Sequence, residues 1–265
     1  MLLKVHQIMA LVTYGNLYLE NRGEEFNLGK LVTDNCYRLD FVDSPIEGIV
    51  GSSKVLAPDA SQWFEYLKSH GAKKLKLHYA TSPRTDIPDH ITSAFVGGGS
   101  EWFAEVQFEN TSDLYLSEWC PSEDYGLDRR RNHYLRFEKD VDHLDTLSSS
   151  ISKSREKLTA VLQELIEFTS RFDYTQHWSE NFKNCLVILQ EYEPIDYDEL
   201  LPAGIYQKES RQLIEAAYAS WVFGGMGSFN DLSFNGSDQE LYMSLSDRLY
   251  KSVCGALVSS INEVS

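Results

Sequence analysis

The 265 residues include 42% apolar, 12% aromatic and 24% charged side chains, a composition that supports a sizeable core and excludes a wholly disordered chain. The formal net charge is −16, with 15 basic against 22 acidic side chains in residues 1–144 and 9 against 18 beyond. Neither part is basic, so a nucleic-acid partner is not expected, because Lys and Arg contacts to phosphate supply most non-specific affinity.

The N-terminus, Met1-Leu2-Leu3-Lys4-Val5-His6-Gln7, lacks a cationic start and a long apolar run, so no signal peptide is expected. No stretch approaches 18 apolar residues, which argues against a membrane span. Cys36, Cys120, Cys185 and Cys254 lie more than sixty residues apart and form no CxxC pair. They suit small buried side chains in a reducing cytoplasm better than a zinc site.

In chain order, Val5–Glu20 reads as an apolar strand with a bend or hairpin turn at Gly15-Asn16. Residues Phe26–Leu31 and Cys36–Val42 read as further strands. Pro58-Asp59 opens a short helix carrying Trp63, Phe64 and Leu67, which His70-Gly71 ends. Lys74–Tyr79 alternates with period two, as a half-buried strand does. Strands are also expected at Ile91–Val96, Trp102–Phe108, Leu114–Trp119 and His133–Phe137, with Gly97–Ser100 as a turn. Arg129-Arg130-Arg131, beside Glu123, Asp124 and Asp128, reads as a surface loop.

Near residue 145 the period changes from two to about 3.6. Leu147 to Phe172 describes an amphipathic helix, and a second carries Trp178, Phe182, Cys185 and Leu189. A third spans about Gln207–Phe223. The fourth starts at Ser237-Asp238-Gln239-Glu240, which fits a capping box. The fold class is therefore α+β, with a mostly antiparallel sheet and one short helix over residues 1–144. Four amphipathic helices follow over 145–265, and the two parts could pack as one unit.

No motif specifies a reaction. Gly23–Lys30 has the wrong spacing for a phosphate loop, and no GxSxG or HExxH occurs. Neither a metal nor a cofactor is expected. The most unusual stretch is Trp221–Asp231, where Gly224, Gly225 and Gly227 lie between aromatics. It follows a helix rather than a strand, so it is not a dinucleotide loop. It reads as a helix-terminating turn in which Gly224 or Gly225 takes the left-handed conformation. Trp221, Phe229, Asn230 and Asp231 are candidate contacts for a ligand or partner. A second candidate surface is the acidic run containing Glu191, Tyr192, Glu193, Asp196, Tyr197 and Asp198, where carboxylates would steer a cationic protein and tyrosines anchor it.

The sequence thus favours a non-enzymatic, acidic cytoplasmic binding protein of the inhibitor or immunity type, recognising a basic protein. The alternative is an enzyme or small-molecule binder with a pocket near Trp221–Asp231.

Overall fold

The computed structural model describes residues 2–22, 36–43, 54–82, 86–95, 98–120, 130–144, 150–191, 201–202 and 204–263. The elements are α1 (Leu2–Leu19), β1 (Cys36–Asp43), β2 (Val55–Ala57), α2 (Ala60–Ser69), β3 (Lys74–Ala80), α3 (Asp89–Thr92), β4 (Glu101–Gln107), β5 (Ser112–Cys120) and β6 (Arg130–Val141). The helices α4 (Ile151–Thr169), α5 (Gln176–Gln190), α6 (Lys208–Ala219) and α7 (Ser237–Glu263) follow. This is an α+β fold. Its six-stranded sheet has the order β2-β1-β6-β5-β4-β3. Every pairing is antiparallel except β1 with β6.

The first element corrects the sequence reading, because Val5–Glu20 lies in a helix and not a strand. Val5, Ile8, Met9, Ala10, Leu11 and Val12 are all buried, so α1 is apolar on nearly every side and has no stripe to reveal a 3.6-residue period. A helix of this kind belongs inside a core. It packs against β3, β4 and α2.

Gly15 and Asn16 are not a turn. A Cβ on Gly15 would lie 2.8 Å from Leu75 Cδ2 and 2.9 Å from Phe64 Cε1, so glycine permits α1 to approach β3 and α2 closely. Asn16 donates from Nδ2 to the Leu75 carbonyl at 2.9 Å, and its Oδ1 accepts the Leu75 N–H at 2.7 Å. Asn262 of α7 treats Leu77 in the same way, at 2.9 and 2.7 Å. Strand β3 is the end strand of the sheet, and two asparagine side chains occupy its outward backbone groups at Leu75 and Leu77. Such groups would otherwise be a template for another strand.

Ile91–Val96 is the second correction. Residues Asp89–Thr92 form the helical turn α3, residues 93–95 continue as a turn and bend, and Val96 lies outside the described residues. A third concerns Arg130 and Arg131, which open β6. The Phe26–Leu31 expectation lies outside the described residues. The first part therefore contains α1 and α3 besides the expected short helix, α2. That helix matches its expectation: Asp59 accepts the Gln62 N–H at 2.8 Å, and Gly71 has φ +81°.

The core is continuous. Phe41 of β1 stacks on Trp63 of α2 and on Tyr134 of β6, at 4.2 and 5.1 Å between ring centroids. The same cluster contains Leu158, Leu162 and Leu165 of α4, Phe182 and Leu189 of α5, Leu213 and Ala217 of α6, and Leu249 and Leu257 of α7. Helix α7 links the halves by packing on α4, α6 and β3. At its start Ser237 is already the first helical residue, and the side chain of Gln239 accepts the Phe234 N–H at 2.8 Å, so the capping box expected of Ser237 and Glu240 is replaced by a contact to the preceding loop.

Candidate functional site: the glycine-rich turn and its polar joint

Helix α6 stops at Ala219, and the chain then makes a turn closed by bonds within itself and tied at its end to α7, where the Tyr242 hydroxyl donates to the Phe229 carbonyl at 2.6 Å. Ser228 Oγ donates to the Gly224 carbonyl at 3.0 Å, and Ser228 N–H donates to the Gly225 carbonyl at 3.1 Å. The Asp231 carboxylate accepts the Gly227 N–H. Phe229 N–H returns to the Val222 carbonyl at 3.2 Å, closing the loop. Gly227, with φ +85°, takes the left-handed conformation. This corrects the expectation for Gly224 or Gly225. Helix α6 is capped at Ser220, residues 221–224 have no regular structure, and the tight turn is Gly225–Ser228, so the positive φ falls on Gly227 inside that turn and not on a helix cap.

The predicted site residues separate into three groups. Phe229 is wholly buried, with its ring 5.3 Å from those of Trp178, Phe182 and Tyr242. Trp221, Gly224 and Asn230 are half-buried, and Trp221 Nε1 donates to the Phe223 carbonyl at 3.2 Å. Gly225, Gly227 and Asp231 are exposed, and between the two glycines Met226 stands entirely in solvent. Of the acidic run, Glu191 is exposed at the end of α5. Tyr192, Glu193, Asp196, Tyr197 and Asp198 lie outside the described residues.

Behind the turn is a polar joint that the sequence did not reveal. Asn230 Nδ2 donates to the His90 carbonyl in α3 at 2.9 Å. Next to it, the buried Asp89 carboxylate accepts the Ser82 N–H at 3.3 Å and Ser100 Oγ–H at 2.7 Å. Ser100 N–H in turn donates to the Tyr250 hydroxyl of α7 at 3.0 Å. Gly98 and Gly99 lie against α3: a Cβ on Gly98 would be 2.0 Å from the Thr92 carbonyl oxygen, and Gly99 N–H donates to Thr92 Oγ1 at 2.9 Å. Phe223 contacts both sides, with its ring 6.1 Å from His90 and 5.3 Å from Tyr250.

His90 is only 2% exposed, and its Nδ1 is buried without a hydrogen-bond partner. Burial lowers its pKa below the ordinary histidine value; the Asp247 and Asp89 carboxylates oppose that shift, and Lys251 adds to it. Asn230 Oδ1 is likewise buried and unpartnered. Burial raises the pKa of the Tyr250 hydroxyl and of the Cys254 thiol, so both are neutral near pH 7. The Asp89-His90 pair and the glycines after it were visible in the sequence. Their connection to Asn230, 140 residues away, was not.

A second polar cluster lies on β4. The buried carboxylate of Glu105 accepts His78 Nε2 at 2.8 Å, Ser112 Oγ at 2.7 Å, the Leu144 N–H at 3.0 Å and Gln107 Nε2 at 3.1 Å. Because Ser112 gives its single proton to Glu105, it accepts from His143 Nδ1 at 2.8 Å. This cluster pins the segment after β6 to the sheet.

Among the described residues, no group of three or more His, Cys, Asp or Glu side chains is arranged to hold a metal ion, and no helix is long and apolar enough to cross a membrane. Concavities occur along α4, around Ser152, Arg155 and Gln163, and between α1 and Tyr206; neither includes the turn. No family model matches the chain, and no curated protein or solved structure is similar enough to it to show a relationship.

Proposed function

We propose that this chain is a non-enzymatic cytoplasmic binding protein of the inhibitor or immunity type, and that its partner is a cationic protein docked on the glycine-rich turn. The observation that carries this reading is Met226, held wholly exposed at the tip of a turn that is bonded from within. A flexible, polarisable apolar side chain in that setting suits contact with another protein. Ile87 and Phe95, 52% and 67% exposed, flank α3, the element that Asn230 joins to the turn. Exposed Asp86 and Asp231 set carboxylates beside these apolar groups. The overall charge of −16 favours a positively charged partner and disfavours a polyanion.

A pocket reading has one supporting observation, the unpartnered Nδ1 of His90 and Oδ1 of Asn230. Against it, the Asp231 carboxylate is bonded to Gly227, and the Asn230 amide nitrogen to His90. Asp89, Ser100 and Tyr250 are bonded to one another or to nearby backbone. Groups bonded in this way hold elements together and are not presented to a substrate.

The test is kinetic. A partner isolated from the native cells is purified, and its association is followed from about 50 to 300 mM salt. The expected results are a basic partner, an association rate that falls about tenfold or more over that range, and affinity weakened about tenfold by Met226→Ser. A neutral or acidic partner, a salt-independent rate, or full affinity in Met226→Ser would reject the reading.

A further inference from the structure

We propose that His90 is a proton-operated latch: with its imidazole neutral, α3 stays docked on the glycine-rich turn, and protonation releases it. The geometry at the joint carries this. The ring is almost fully enclosed, and Nδ1 meets no acceptor there. A neutral ring can leave Nδ1 as a bare lone pair at moderate cost. An imidazolium would instead bury a charge and a donor with nothing to receive it, which is far costlier. The carboxylate closest in sequence, Asp89, already accepts Ser82 and Ser100.

The charged and titratable groups around the joint do not remove that cost. Asp89 beside His90 and Asp247 of α7 favour the imidazolium, whereas Lys251 of α7 opposes it. Tyr79 of β3, and Tyr250 and Cys254 of α7, have their pKa values raised by burial, so they stay neutral throughout the range in which histidine titrates. The turn itself contributes Phe223 and Asn230, neither of which ionises. Burial outweighs the two carboxylates.

The joint is also poorly secured. Helix α3 has four residues. Among the described residues its one hydrogen bond to the turn is from Asn230 to the His90 carbonyl, and the Asn230 amide oxygen is left unpartnered. Local opening at such a place costs less than global unfolding. Once open, His90 returns to an ordinary pKa near 6.5. Opening then gains a factor approaching 1 + 10^(6.5 − pH), about 30 at pH 5.0 and close to 1 at pH 7.5. Release would separate the exposed Ile87 and Phe95 beside α3 from the turn that carries Met226. That consequence for binding rests on the docking reading above, whereas the latch does not.

Amide hydrogen exchange on the free full chain tests the latch without a partner. After correction for the intrinsic pH dependence of exchange, protection at residues 89–95 and 222–231 is expected to fall about tenfold or more from pH 7.5 to pH 5.0. Protection in α4 and α5 should change less than about twofold. In His90→Phe, which retains a ring against Phe223, the local pH response should vanish; its persistence would assign the effect to Asp89 or Asp247 and overturn the proposal. Should that variant fail to fold, a nuclear magnetic resonance titration of wild-type His90 decides. A pKa below the ordinary histidine value, with turn amides shifting in step, supports the latch. An ordinary pKa, or amides that do not respond, overturns it.

Discussion

Single side chains hold this fold at places where backbone would otherwise be unsatisfied. Asn16 and Asn262 act as substitute strand neighbours for Leu75 and Leu77, closing the sheet edge while tying α1 and α7 to it. Glu105 does similar work for the segment after β6, and its chemistry gives a pH prediction. Burial by itself would raise its pKa, but bonds from His78, Ser112, the Leu144 N–H and Gln107 outweigh burial and hold it at about 2. A depressed carboxylate stabilises the fold above its unfolded pKa of 4.5, and that stability is lost as pH falls from 4.5 toward 2. Between pH 6 and 3.5 the loss from this one group is on the order of 1 kcal/mol. Urea denaturation at the two pH values should show that Glu105→Gln loses correspondingly less stability than wild type over the interval; an equal loss would reject the assignment.

At the scale of elements, each glycine's role depends on its backbone geometry, and the turn allows a direct comparison. Gly227 has φ +85° with open space around its Cβ position, whereas Gly225 also has open space but lacks a left-handed conformation. Gly227→Val should therefore cost more than about 1 kcal/mol through backbone strain alone. Gly225→Val should cost less than about 0.5 kcal/mol, as exposed substitutions usually do. Thermal denaturation of the two variants checks the ranking, and a reversed order would mean that the turn has a different conformation. Legibility followed the same physics. Helices α4 to α7 could be read because each buries one face and exposes another, as Leu158, Leu162 and Leu165 do in α4. Helix α1 could not be, since burial on nearly all sides erases the period, and Gly15-Asn16 then resembles a hairpin turn. Residues 91–96 are a short segment with only Thr92 and Ser93 among apolar side chains, too short for periodicity to distinguish a helical turn from a strand. The turn was visible as a turn; the joint behind it was not, because it is made by residues far apart in the chain.

For the whole molecule, the −16 charge should act in two opposed directions. Within the chain, 40 acidic side chains against 24 basic ones repel at neutral pH, which destabilises the compact state. Many of the basic groups are already used, as Arg136 is by Asp43 and Asp113 and Arg248 by Glu164, so most of the remaining field is negative. Salt shortens the Debye length from about 30 Å at 0.01 M to about 8 Å at 0.15 M and so screens that repulsion. If screening recovers about 1 kcal/mol, the melting temperature should rise by about 2–4 °C. For the cationic partner proposed above, the same ions would weaken the attraction and slow association. One salt series thus predicts a more stable chain and a slower encounter. Calorimetry on the free chain and association kinetics on the pair would measure the two, and both responses having the same sign would show that the net charge does not control both.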